Sequence, residues 1–295
     1  MRILLPTDGS DYSKTAAGYV RDLGLRQGDE LYVLHALKDF LLPDEVDPAR
    51  DFIKAGQQGA RRMLSEFTAE NLHGMAGVKT IVREGEPWRE ISEAVAELKA
   101  DLVVMGHRGL GLVSEYIIGG TTRKVVRHAG VSCLVVRNPM PHGRPVRALY
   151  CADGSVSAGH AREILEALPY PADSEVDVLS VVDMDITTMP ERYYPGEDIS
   201  RMMAELREHY RAKAQKVVDS ECAMLGKRFG KVTGQIRFGA PDDEIIKAAG
   251  ELGADLVVMG CREMKGLADV IVGSESMRVL RHISANALIA SGPGS

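Results

Sequence analysis

The chain has 295 residues, about twice the usual ~100–150-residue domain, so two domains are expected. With 45% hydrophobic and 26% charged residues it is composed like an ordinary soluble globular protein; no apolar run approaches the ~18–20 residues that span a bilayer, and MRILLPTDGS lacks the features of a secretory leader. A net charge of −6 argues against a general nucleic-acid binder, and four scattered cysteines (Cys133, Cys151, Cys222, Cys261) outline neither a zinc site nor a disulfide framework, so reduced thiols in the cytoplasm are expected.

Short Val/Ile/Leu-rich runs predict strands at 3–6, 31–36, 78–82, 102–105 and 133–136, with helices between them at about 10–26, 50–72, 87–99 and 120–129. The runs do not alternate apolar with polar, the pattern of a parallel sheet buried on both faces. Further strands are predicted near 147–151, 176–182, 232–238, 255–259 and 286–290, because the chain repeats itself. Ala100-Asp-Leu-Val-Val-Met-Gly-His-Arg-Gly109 recurs as Ala254-Asp-Leu-Val-Val-Met-Gly-Cys-Arg-Glu263, eight identities in ten positions at an offset of 154. The same offset aligns Gly119-Gly-Thr-Thr122 with Gly273-Ser-Glu-Ser276; near the starts, Asp8-Gly9-Ser10 matches Asp153-Gly154-Ser155 at an offset of 145. A period this long is a duplicated domain rather than a solenoid repeat of ~20–50 residues. The Pro/Gly-rich stretch 138–145 reads as the linker, giving domains at 1–140 and 146–291. Residues 1–140 carry 18 basic and 19 acidic side chains and residues 141–295 carry 18 and 23, so the acidity lies in the second half. The expected fold is α/β: two tandem, doubly wound, five-stranded parallel sheets of Rossmann-like type, each built of five βα units, packed on each other as a pseudo-dimer.

Such sheets bind ligands beyond the carboxyl ends of their strands, where the strand order reverses. Met105-Gly106-His107-Arg108-Gly109 follows a strand there, and Gly119-Gly120-Thr121-Thr122 opens a helix. Glycines let backbone N–H groups approach an anion, a helix start adds unpaired N–H donors and the positive end of its dipole, and Thr121 and Thr122 add hydroxyls. Arg108 places a cation beside them. The spacing G-x-x-G, nine residues, G is neither the Walker loop nor the dinucleotide fingerprint.

These residues resemble the universal stress proteins in their tandem two-domain form. That family carries G-x-x-G, nine residues, G-[ST] between its fourth strand and last helix, and a first strand ending like Pro6-Thr7-Asp8-Gly9-Ser10. The resemblance implies a protein that binds ATP or AMP in a stress response, with Mg²⁺ helping to neutralise the phosphates, often as a homodimer or an intramolecular pseudo-dimer, and in much of the family without defined catalysis. Carried over, its adenine contacts fall on Asp8 and near Ala36, and its phosphate contacts on Gly106, Gly109, Gly119, Gly120, Thr121 and Thr122. Gly120 stands where the family has Ser or Thr. In the second copy Glu263 replaces the second loop glycine and Glu275 enters the helix start, so the first copy is expected to be the nucleotide site and the second to be empty or to hold a less charged ligand.

Other readings stand beside these. Asp8 also suits an Asx cap of the following helix. His35 reads as a satisfied core or rim histidine rather than a catalyst, and His107 lacks a visible carboxylate partner for general-base work. Arg127-His128 and Arg281-His282 suit compensation of helix dipoles. Tyr193-Tyr194 reads equally as a packed loop or as a partner-binding lid. The competing functions are a slow ATPase or other nucleotide-dependent enzyme, such as a kinase-like transferase, on the same scaffold, and a scaffolding pseudo-dimer that has lost its nucleotide.

Overall fold

Strand β1 (Arg2–Pro6) is buried along four of its five residues, as a central parallel strand must be, and helix α1 (Asp11–Leu23) returns over it. The computed structural model describes residues 1–38, 47–109, 118–183, 197–261 and 273–291; Arg262, Glu263 and Tyr193-Tyr194 lie outside the described residues. The chain continues through β2 (Glu30–Leu37), α2 (Asp47–Asn71), β3 (Val78–Glu84), α3 (Pro87–Leu98), β4 (Leu102–Gly106), α4 (Gly120–His128) and β5 (Ser132–Val136). The second half repeats this order as β6 (Arg147–Cys151), α5 (Val156–Ala167), β7 (Glu175–Val182), α6 (Glu197–Leu225), β8 (Lys231–Phe238), α7 (Pro241–Leu252), β9 (Leu256–Gly260), α8 (Ser274–His282) and β10 (Asn286–Ala290). The fifth strand of each half is followed by no helix among the described residues, so each half has four βα units and a closing strand rather than the five units expected.

Helix boundaries follow local chemistry. Ser10 caps α1, its Oγ accepting from Ser13 N at 3.3 Å, and Gly24 ends it at φ 74°. Pro87 and Pro241 open α3 and α7, where a missing N–H costs nothing. The two helices end differently: Gly253 closes α7 in the left-handed region at φ 59°, while Lys99, its counterpart after α3, adopts φ 51° with a side chain attached.

The strands form one sheet in the order β3-β2-β1-β4-β5-β10-β9-β6-β7-β8. Within each half all pairings are parallel; the halves join through the antiparallel pair β5 and β10. The two expected sheets are therefore one ten-stranded sheet. Apolar layers on its two faces both run through the two halves, one containing Tyr19, Tyr150 and Tyr170, the other Met105, Met259 and Val279. Polar contacts across the junction are reciprocal. Asn286 Oδ1 accepts from Arg137 N at 2.7 Å, and its counterpart Ser132 accepts at Oγ from Ser291 N at 3.2 Å. The Tyr19 and Tyr170 hydroxyls meet at 2.9 Å in the core, and Arg144 in the connection forks onto Asp255 at 2.6 and 2.7 Å.

Candidate functional site in the first half

The order of β1 and β4 marks the switch point of the first half, and the turn after β1 builds one wall there. Gly9 takes φ 78°, a left-handed value that a side chain would strain, and so turns the chain from β1 into α1. The turn is held by short polar contacts. Asp8 Oδ1 accepts from Ser10 N at 3.1 Å and Ser10 Oγ at 2.6 Å, and Thr7 Oγ1 accepts from Gly9 N at 3.1 Å while donating to Ser13 Oγ at 2.9 Å. The helix cap is thus Ser10, and Asp8 braces the cap instead of being it. His35 Nδ1 lies 2.8 Å from Thr7 O, which anchors β2 to the same turn.

The opposite wall is the end of β4 and the start of α4. Gly106 lacks a side chain for a packing reason: a Cβ there would sit 2.6 Å from the Tyr12 carbonyl oxygen on α1. Gly260 meets the backbone of Ser157 in the same way in the second half. Gly109 is a different case, since a Cβ at 109 would fall on Asp8 Oδ2. The glycine brings the loop backbone against the Asp8 carboxylate, and a positive φ plays no part. Gly119, the N-cap of helix α4, gives its own N–H to His107 O at 2.8 Å and offers no side-chain cap, which leaves the N–H groups of the helix's first turn at the cavity lining. At Gly120 a side chain would meet nothing within 4 Å. Thr122 corrects the expected pair of hydroxyl donors: it is buried and its single hydroxyl proton goes to Gly106 O at 3.0 Å, so Thr121 is the side-chain donor left to the pair.

The cationic groups beside this wall are buried. Arg108 is 8% exposed, stacks over the Tyr12 ring at 5.8 Å and reaches Tyr12 OH at 3.5 Å. Burial, Arg137 and Arg108 hold the His107 imidazole down at about 4, so it is neutral near pH 7; its ring packs edge-on against Tyr12. Burial and the Arg108 charge lower even the Arg137 guanidinium, to about 10. Like charges gathered in low dielectric favour an anion nearby.

Between the walls lies a cavity of about 290 Å³ whose lining includes all twelve residues predicted from the sequence: Pro6, Thr7, Asp8, Ala36, Met105, Gly106, Arg108, Gly109, Gly119, Gly120, Thr121 and Thr122. Four more line it that were not foreseen: Ser13, Leu34, Pro87 and Ile91. Their signal in the sequence was faint. The cavity is two-ended. Pro6, Leu34, Ala36, Pro87, Ile91 and Met105 form an apolar end; Arg108, Gly109 and the α4 N-terminus form an end suited to anions.

The second half has an equivalent cavity of about 310 Å³. Asp153 keeps the place of Asp8, accepting from Ser155 N at 2.9 Å, and Gly154 repeats the turn at φ 76°. Ala152 and Ala158 stand where the first cavity has Thr7 and Ser13, and Glu275 where it has Thr121. Among the described residues lining it there is no lysine or arginine.

The universal stress protein family model matches this chain twice, over residues 1–137 and 147–291. A universal stress protein of Thermus aquaticus is 34% identical over 137 residues, 46% of this chain and 97% of the relative. Slr1230 of Synechocystis, also named a universal stress protein, is 22% identical over 306 residues, covering 96% of both chains. In fold, the crystal structure of a universal stress protein from Archaeoglobus fulgidus superposes over 99% of this chain and 98% of its own, with a TM-score of 0.69 at 22% identity. Matched twice along nearly its whole length, the chain belongs to the universal stress protein family, in tandem duplicated form.

Proposed function

We propose that this protein is a cytoplasmic adenine-nucleotide-binding stress regulator, with ATP or AMP held in the first half and no strong turnover. The observation that carries this reading is the two-ended cavity at the switch point. An apolar slot bounded by Leu34, Ile91 and Met105 suits a purine ring, and the polar end supplies a buried arginine and a helix start for phosphates. Its volume of about 290 Å³ lies at the small end of ligand pockets, which run from about 300 Å³ upward. The absence of a Cβ at Gly120, where nothing lies within 4 Å, leaves the backbone of the helix start open to phosphate oxygens.

Mg²⁺ would arrive with a triphosphate rather than wait in a protein cage. No group of three metal-ligating side chains occurs among the described residues, and Asp8 is the carboxylate lining this cavity. Such an ion is commonly held by one or two carboxylates together with phosphates and water, and it would neutralise phosphate charge here. No helix among the described residues is long and apolar enough to cross a membrane.

The direct test is to denature the purified protein and weigh what is released. An adenine nucleotide near one per chain supports the reading. Release of none, combined with no equilibrium binding of added ATP or AMP, refutes it and favours the scaffolding alternative.

A further inference from the structure

The second cavity keeps the apolar half of the first and replaces its anion-binding half. Leu179, Ile245, Met259 and Pro241 repeat Leu34, Ile91, Met105 and Pro87, so the slot for a flat ring is preserved. Where the first helix start offers Thr121, the second offers the Glu275 carboxylate in the first turn of α8, the position where N–H donors and the helix dipole favour a negative charge. The chain thus brings a carboxylate of its own into the lining of the second cavity, at a helix start where the first cavity has a hydroxyl.

The surrounding charges point the same way. The described lining of the first cavity has one carboxylate, Asp8, and that of the second has two, Asp153 and Glu275; Arg262, the counterpart of Arg108, lies outside the described residues. Arg278, the cation on the first turns of α8, is held by Asp242 at 2.5 Å and Asp243 at 2.8 Å. The rest of the described lining is an apolar slot with four serines: Ser274 and Ser276 at the start of α8, and Ser155 and Ser157, whose hydroxyls meet at 3.0 Å while Ser155 Oγ also accepts from Ala158 N.

From the preserved slot, the serine rim and the built-in carboxylate, we infer that the second cavity binds a purine nucleoside without phosphate. The ring occupies the apolar end, the sugar hydroxyls exchange hydrogen bonds with the serines, and a 5′-phosphate is repelled by Glu275. This inference rests on reading the first cavity as an adenine-nucleotide site, because the shared apolar end is what identifies the ring.

Met105 and Met259 occupy matching places in the two cavities and allow each to be watched separately. The full chain, labelled at its methionine methyls and assigned with Met105→Leu and Met259→Leu, is titrated with adenosine, AMP and ATP. Adenosine should move the Met259 signal with ATP already saturating the first cavity, AMP should do so at least ~10-fold more weakly, and Glu275→Thr should narrow that gap. An unmoved Met259 signal under adenosine, or equal response to adenosine and ATP, overturns the inference. Failure of ATP to move Met105 would instead overturn the nucleotide reading of the first half, and a Met259 response to adenosine would still uphold the second site.

Discussion

Leu134 on β5 and Leu288 on β10 face each other across the antiparallel junction of the two halves, and each is the other's counterpart at the repeat offset of 154. The local two-fold axis passes between them, with Val135 opposite Ala287 and Cys133 opposite Ile289 on either side. A contact of this kind is what a symmetric dimer makes between identical surfaces, here made once within a single chain. Both leucines are fully buried.

Because both apolar layers cross this junction, the halves should unfold together. Leu134→Ala and Leu288→Ala should each cost about 2–5 kcal/mol. The single Trp88 reports on the first half and far-ultraviolet circular dichroism on the whole. Coincident melting curves are expected, shifted together by either substitution; two separate transitions would show independent halves.

Gly109 should be intolerant of any side chain when ATP binding is measured, because a Cβ there meets the Asp8 carboxylate. Gly109→Ala should weaken ATP measurably, and Gly109→Glu, which adds charge repulsion, by at least ~10-fold or ~1.4 kcal/mol. A folded Gly109→Glu protein with unchanged affinity would remove this loop from the site.

The pH dependence of stability should carry the signature of His107. Its folded value of about 4 lies below the ordinary 6.5, so between these the unfolded chain binds a proton that the folded chain does not. The contribution is therefore fully present above pH 6.5 and is lost as pH falls toward 4, by up to about 3 kcal/mol. Denaturant titrations of wild type and His107→Gln across that window should diverge; parallel profiles would mean that the imidazole titrates normally.

Lys99 should be replaceable by glycine with a gain. It holds a left-handed conformation that Gly253 holds in the second half without a side chain. Relief of about 1–2 kcal/mol of strain, less the roughly 0.5–1 kcal/mol of extra freedom glycine has when unfolded, leaves a small net stabilisation. A lower melting temperature for Lys99→Gly would contradict this.

What the sequence carried, and what it hid, divides along the range of the interactions. Strands such as Leu102–Gly106 were legible because burial on both faces demands an unbroken apolar run, and the duplication showed which turns recur. The twelve residues around the first cavity lie at strand ends and a helix start, which local pattern marks. Contacts between distant segments left no such trace: Gly106 against the Tyr12 carbonyl, Gly109 against Asp8, Thr122 donating to Gly106 O, and Leu34 and Ile91 closing the cavity. Nor did any periodicity announce that β5 and β10 would pair, since a buried edge strand reads like any other. Glu263, which the sequence singles out as the second loop's departure, lies outside the described residues together with Arg262, the counterpart of Arg108, so the asymmetry among the described residues rests on Glu275 in place of Thr121.

The most direct measurement is a calorimetric titration of Mg-ATP into the full chain, with the Gly109→Glu variant alongside. One ATP per chain is expected, with binding lost or weakened at least ~10-fold in the variant. No binding at all, or two sites of equal affinity per chain, would contradict a nucleotide site confined to the first half.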